Sequence, residues 1–371
     1  DVHIAATAAA ASSSVPSLEQ SMSVGLVNAI EDELPWLDTI CVDLDPELGF
    51  GCNDPSLVAT EEAVAVLAEC GLRADRERHV CHRKGRRYAE RLIPLGQEMM
   101  AAAAAAAAAT KTPTSDSACR TAVRKGGTYL ITGGLGGLGR TFARWLAERG
   151  ASEILLVGRK ARRTIGGSDD AEDVRRELAL AGATTSTFIA ADVANYGALV
   201  RGISAALVTS DGAELALVGR LCGIIHSAGT LDNGTIGSQT WEKFRTVMRS
   251  KVAGTWNLHR LAADAKRLHA FVAFSSTASI LGAAGQANHS AVNAFEDAFA
   301  HYRRCFGLPA LSVQWGAWGE VGAAVAFERQ LEATGILSIS PRAGVAALEL
   351  LLTSAAAGRC EVACASIDWR R

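Results

Sequence analysis

The sequence predicts an α/β fold: a doubly wound parallel sheet with helices on both faces, joined to a smaller leading unit. Two observations carry this. From Thr128 onward, strand-like runs alternate with amphipathic helical runs, and the strand runs are largely apolar, as in strands buried on both faces. The first such run empties into a glycine-rich turn, TYLITGGLGGLGR over Thr128 to Arg140, which opens onto the helical stretch FARWLAERG. Strand, glycine turn and helix in this order suit a dinucleotide. Glycine lets the backbone approach a pyrophosphate, and the helix N-terminus offers N–H groups to the anion. A glycine-rich hairpin, or a helix packed closely on a strand, shares part of the pattern.

Residues 1–22 are mostly alanine, serine and polar residues without periodicity, and read as a linker. Val24, Val27, Ile30 and Leu34 then recur at helical spacing until Pro35 stops the helix. Thr39 to Leu44 reads as a strand, Glu61 to Glu69 as a helix, and Arg78 to Leu95 as a hairpin about Lys84-Gly85. The hairpin's Arg83, Lys84, Arg86, Arg87 and Arg91 read as a solvated face. Nine alanines from Ala101, followed by TKTPTS, form a low-complexity connector. Three parts are therefore expected: a structural unit over 1–100, a linker over 101–126, and a larger unit over 127–371.

Beyond the glycine turn the expected strands are Glu153 to Val157, Thr187 to Val193, Leu221 to His226, Phe271 to Ser275, Leu311 to Trp315 and Glu361 to Ile367. The helices between them are Asp169 to Leu180, Tyr196 to Leu207, Trp241 to Ala263, Ala291 to Phe306 and Ala343 to Leu352. In such a sheet, ligands sit at the carboxyl ends of the strands.

Composition narrows the function classes. At 371 residues and 49% apolar the chain can bury a sizeable core, while a net charge of −2 gives no footprint for nucleic acid or a membrane surface. No apolar run is long enough to span a bilayer. The nine cysteines are scattered without a C-x-x-C pair, so buried free thiols are expected, with neither a disulfide frame nor a metal site. A soluble, intracellular, cytoplasmic protein is the expectation.

The residues at the strand ends sharpen the reading. Thr132-Gly133-Gly134-Leu135-Gly136-Gly137-Leu138-Gly139 fits T-G-x-x-x-G-x-G. On this motif the chain resembles the short-chain dehydrogenase/reductase superfamily, and more closely the ketoreductase domains of polyketide and animal-type fatty acid synthases. Residues 24–95 are similar to the truncated, non-catalytic Rossmann-like subdomain of those ketoreductases, and 127–371 to their catalytic subdomain. Arg159, twenty residues beyond Gly139, stands where an acid would bind the ribose of NAD, whereas an arginine pairs with the 2′-phosphate of NADP. NADPH is the expected cofactor. By resemblance Asp192 and Val193 hold the adenine, although an Asp at a strand end is also a common helix cap. His226-Ser227-Ala228-Gly229 is similar to the family's H-A-A-G, in which Ala228 and Gly229 let the backbone pass close to the cofactor. His226 itself reads as a structural histidine.

The resemblance also assigns a catalytic set. Lys251 in KVAGTWNLH matches the family's lysine, Ser276 in FSSTAS the serine that bonds the substrate carbonyl, and Asn293 the asparagine four residues beyond the catalytic tyrosine. In GQANHSAVNAF, however, the tyrosine position is His289. Hydride reduction of a ketone leaves an alkoxide that needs a proton, and imidazole can act as a general acid, although a nearby ammonium disfavours its charged form. Leu231-Asp232-Asn233 resembles the L-D-D motif without its last acid, and Leu281 stands where the opposite stereochemical class has tryptophan. Trp315 to Ser340 is expected to include a lid. The resemblance thus implies NADPH-dependent reduction of a β-keto group on a thioester carried by an acyl carrier protein, alongside other synthase domains. The alternative is a reductively impaired or inactive structural module, and His289 is the residue that separates the two.

Overall fold

The computed structural model describes residues 3–7, 17–37, 39–43, 69, 77–83, 86–94, 122–159, 170–206, 220–263, 265–322, 328–333, 335–353, 359–368 and 370. The expected helix before Glu69, the Lys84-Gly85 turn and the alanine-rich connector lie outside the described residues.

The leading part contains β1 (His3–Thr7), α1 (Leu18–Glu33), β2 (Cys41–Asp43), β3 (His79–Arg83), β4 (Arg86–Ala89) and β5 (Leu92–Pro94). Next come β6 (Thr128–Thr132), α2 (Gly137–Glu148), β7 (Glu153–Gly158), α3 (Asp170–Leu180), β8 (Thr185–Ala190), α4 (Tyr196–Ala206) and β9 (Leu221–His226). A continuous helical run follows: α5 (Trp241–Met248), a π-helical turn at Arg249–Ala253, and α6 (Gly254–Leu261). The chain ends through β10 (Ala270–Ser276), α7 (Ala278–Leu281), α8 (Ala287–Cys305), β11 (Leu311–Trp315), α9 (Glu328–Ala333), β12 (Ile336–Leu337), α10 (Pro341–Thr353) and β13 (Glu361–Ile367).

Strands β8-β7-β6-β9-β10-β11-β13 form the parallel body of a ten-stranded sheet. This is the predicted α/β, Rossmann-like architecture. Strand order reverses between β6 and β9, the place where such sheets take ligands at the carboxyl ends of their strands. Every residue of β6 is buried, and successive side chains serve opposite faces. Tyr129 and Ile131 join Phe142, Trp145, Leu146, Val174, Leu178 and Leu348 on one side. Leu130 joins Leu199, Ile203, Leu258, Phe271, Phe295 and Phe299 on the other.

The start of the leading part departs from the expected linker. Within residues 1–22, β1 pairs antiparallel with β13 and β5, and α1 already starts at Leu18, so the expected linker is corrected at both places. Strands β2, β3 and β4 form a separate small sheet. The buried residues of α1 are Gly25, Asn28 and Ala29, not the apolar series that announced the helix. The reason is close packing: a Cβ on Gly25 would lie 2.2 Å from the carbonyl oxygen of Ser290, so α1 crosses α8 backbone to backbone beside His289. The basic hairpin is not wholly a solvated face either. Arg87 donates at 2.7 Å to the buried Glu69, which His82 also contacts at 2.8 Å, while Arg86 is exposed.

Among the described cysteines, Cys222, Cys360 and Cys364 are buried free thiols as expected, whereas Cys305 is exposed. No described helix is long and apolar enough to cross a membrane.

Candidate active site

Around the carboxyl ends of β6, β9 and β10 stand most of the residues singled out by sequence. Thr132 closes β6, the turn follows, and Gly137 opens α2, whose first turn carries no acidic side chain. The first N–H groups of a helix have no acceptor within it, so this end favours an anion. A Cβ on Gly139 would lie 2.2 Å from the carbonyl oxygen of Gly133 and 2.7 Å from the Cα of Gly134, which is why the turn folds this tightly only with glycine. Leu135 and Leu138 are partly buried and pack on the Phe142 side of the core. Thr132 ties the two central strands together, its carbonyl accepting from Ser227 Oγ at 2.7 Å and its Oγ1 from the Ala228 N–H at 3.3 Å. Gly229, next along, faces Lys251: a Cβ there would meet Lys251 Cε at 3.6 Å.

His226 has the structural role expected of it. Its Nδ1 bonds Thr132 Oγ1 at 2.6 Å and its Nε2 the Ser250 carbonyl at 3.0 Å. Burial, with the charge of Lys251, pushes its pKa down to about 3, so the ring is neutral.

Strand β8 ends at Ala190, not Val193, so Asp192 and Val193 stand in the loop beyond it. Asp192 accepts from Ala194 N–H and pairs with Arg249, each at 2.9 Å. The cap of α4 is instead Asn195, which accepts from Ala198 N–H. Burial opposes the charge of Asp192, but the bonds from Arg249 and Ala194 and the charge of Arg159 outweigh it and hold the carboxyl below its usual range. Arg159 itself is exposed just past β7. Val193 is buried, and its carbonyl accepts from Asn257.

The residues that the resemblance assigns to catalysis lie on three neighbouring elements. Lys251 occupies the π-helical turn, a feature often found at functional sites, and its side chain is buried. Its ammonium donates to the Phe274 carbonyl of β10 at 2.7 Å. Two residues on, Ser276 ends β10 with its Oγ accepting from Ala278 N–H at 3.2 Å. Helix α8 starts at Ala287, four residues before the expected Ala291, and so carries His289 in its first turn. Asn288 braces that turn, donating to the Asp232 carbonyl at 2.8 Å and accepting from the His289 N–H. Asn293 Nδ2 donates to the His289 carbonyl at 2.7 Å.

His289 is half-buried, with its Nδ1 enclosed and without a hydrogen-bond partner. Burial first, then the charge of Lys251, pushes its pKa down to about 3. The imidazole is therefore neutral at physiological pH.

Sequence reading missed Glu296. Its Oε2 lies 2.6 Å from Lys251 Nζ, and its Oε1 accepts from Thr255 Oγ1 at 3.3 Å. Burial raises its pKa to about 7 against the opposing effect of Lys251. The signal was present: Glu296 stands seven residues after His289 and three after Asn293, between Phe295 and Phe299, so it shares the inward face of α8.

The family model described as KR domain matches residues 127–320. The chain belongs to this family. It is a ketoreductase domain of polyketide synthase type, within the short-chain dehydrogenase/reductase superfamily. The KR domain is 39% identical over 247 residues to polyketide synthase GfsB of Streptomyces halstedii, covering 66% of this chain and 4% of that protein. It is 40% identical over 234 residues to the spectinabilin polyketide synthase system protein NorB of Streptomyces orinoci, covering 62% of this chain and 10% of that protein. It thus spans only a small part of these multidomain relatives. Among solved structures, an A1-type ketoreductase matches with a TM-score of 0.77 and 31% identity over 98% of this chain and 67% of its own. The first ketoreductase of the tylosin polyketide synthase matches with a TM-score of 0.74 and 32% identity, over 98% of this chain and 69% of its own.

Proposed function

We propose that this KR domain binds NADPH and acts on the β-keto group of a thioester carried on the phosphopantetheine of an acyl carrier protein, as one module of a larger synthase. The observation that carries the reading is the glycine turn of Thr132–Gly139 at the strand-order reversal, with Arg159 beside it at the end of β7. The residues fit the cofactor: helix α2 offers its N-terminal N–H groups to the pyrophosphate, and Arg159 is exposed to meet a 2′-phosphate. When bound, NADPH supplies hydride to the carbonyl carbon. The chain's own residues do the rest: Ser276 orients the carbonyl oxygen, and Lys251 offers positive charge to cofactor and alkoxide.

The state of His289 favours a second reading, in which this copy is reductively impaired. A neutral imidazole has no ready proton for an alkoxide, and losing a positioned acid typically costs about 10²- to 10⁴-fold in rate. Fluorescence titration with NADPH and NADH, followed by NADPH oxidation with a β-ketoacyl thioester, tests both. Tight NADPH binding with slow oxidation supports the impaired module, rapid oxidation supports a competent reductase, and failure to bind NADPH contradicts the proposal.

A further inference from the structure

The ammonium of Lys251 has three N–H donors, and two are committed, one to the Phe274 carbonyl at 2.7 Å and one to Glu296 Oε2 at 2.6 Å. His289 is near enough to feel the lysine's charge, yet its Nδ1 is buried without a donor. Among the described residues, the other polar neighbours of Glu296 are Thr255, and His226 with its Nε2 3.6 Å away and its ring neutral, so neither competes for the carboxylate as a cation.

We propose that Glu296 is a positioning residue that claims the ammonium of Lys251 and withholds it from the side chain at position 289. This rests on the reading of the site as a ketoreductase site. Glu296 and His289 lie on the same face of α8, seven residues apart. A phenol placed at position 289 would therefore gain little from Lys251 while Glu296 is present. Once Glu296 is neutralised, the ammonium is free to stabilise the phenolate and lower the phenol's pKa.

The test is ultraviolet titration of the phenol introduced by His289→Tyr, taken as a difference against the same background with His289. It needs neither cofactor nor substrate. Adding Glu296→Gln is expected to lower the phenol midpoint by roughly one pH unit or more. That fall should vanish when Lys251→Met is also present. Thermal unfolding of each variant confirms folding, and Glu296→Met is the second variant, since an unpaired buried ammonium destabilises the fold. An unchanged midpoint overturns the proposal. So does a fall that persists with Lys251→Met, because Glu296 would then act by its own charge alone. In NADPH oxidation, His289→Tyr alone is expected to gain less than about tenfold and His289→Tyr/Glu296→Gln about 10²-fold or more. Equal rates for the two would also overturn the proposal. No turnover in any variant, with the phenol shift present, leaves the lysine clamp standing and contradicts the ketoreductase reading instead.

Discussion

Glu33, the last residue of α1, accepts the backbone N–H of Gly285 at 3.0 Å through one carboxylate oxygen and that of Ile236 at 2.5 Å through the other. Asp32 beside it accepts from Ala284 N–H at 2.6 Å. The leading helix thereby fastens two loops, one following Leu231-Asp232-Asn233 and one leading into His289. Glu33→Ala leaves two backbone donors unmatched and is expected to cost about 1–3 kcal/mol in denaturant unfolding. In an active variant it should raise KM more than it lowers kcat. Unchanged stability would show that the contacts are incidental.

At the glycine turn, Gly139→Ala forces a methyl against the backbone of Gly133 and Gly134. Dinucleotide binding should be lost, while Gly237→Ala, whose Cβ meets nothing within 4 Å, should leave it intact. Titration by cofactor fluorescence separates the two, and retained binding in Gly139→Ala would mean that the turn is not the pyrophosphate site.

Arg159→Ala is expected to weaken NADPH roughly tenfold or more, the scale of a lost charge-assisted bond, with little change for NADH. A parallel loss for both cofactors would remove Arg159 from the 2′-phosphate.

The pH dependence of stability reports on His289. The folded protein keeps this ring neutral down to about pH 3, whereas in the unfolded chain it takes a proton near 6.5. Between these values the unfolded state binds the extra proton, so this contribution is complete above pH 6.5 and is lost as the pH falls toward 3. His289→Leu removes it. Relative to wild type, that variant should gain on the order of 1 kcal/mol per pH unit below 6.5, measured by urea unfolding between pH 7 and pH 4. Parallel pH profiles would show that the imidazole is solvated.

Local patterns made the parallel core legible, since β9, β11 and β13 run over the same residues in sequence and structure. What depends on distant partners was not. β1 is a plain HIAAT run that becomes a strand only by pairing with β13 and β5, some hundreds and tens of residues away. The π-helical turn at Lys251 leaves no mark in apolar spacing, and α8 begins early because Asn288 braces its first turn through side-chain bonds. At the site, motif spacing located Lys251, Ser276 and Asn293, but a motif does not reveal a pairing such as Lys251 with Glu296. That pairing depends on how π turn, β10 and α8 meet.

The proposed combination of a working NADPH site and failed proton delivery at position 289 is tested most directly by the rate of NADPH oxidation at saturating NADPH with a β-ketoacyl thioester, comparing wild type with His289→Tyr/Glu296→Gln. The wild type is expected to be slower by about 10²-fold or more at similar NADPH affinity. A wild type that turns over as fast as the double variant would contradict the claim.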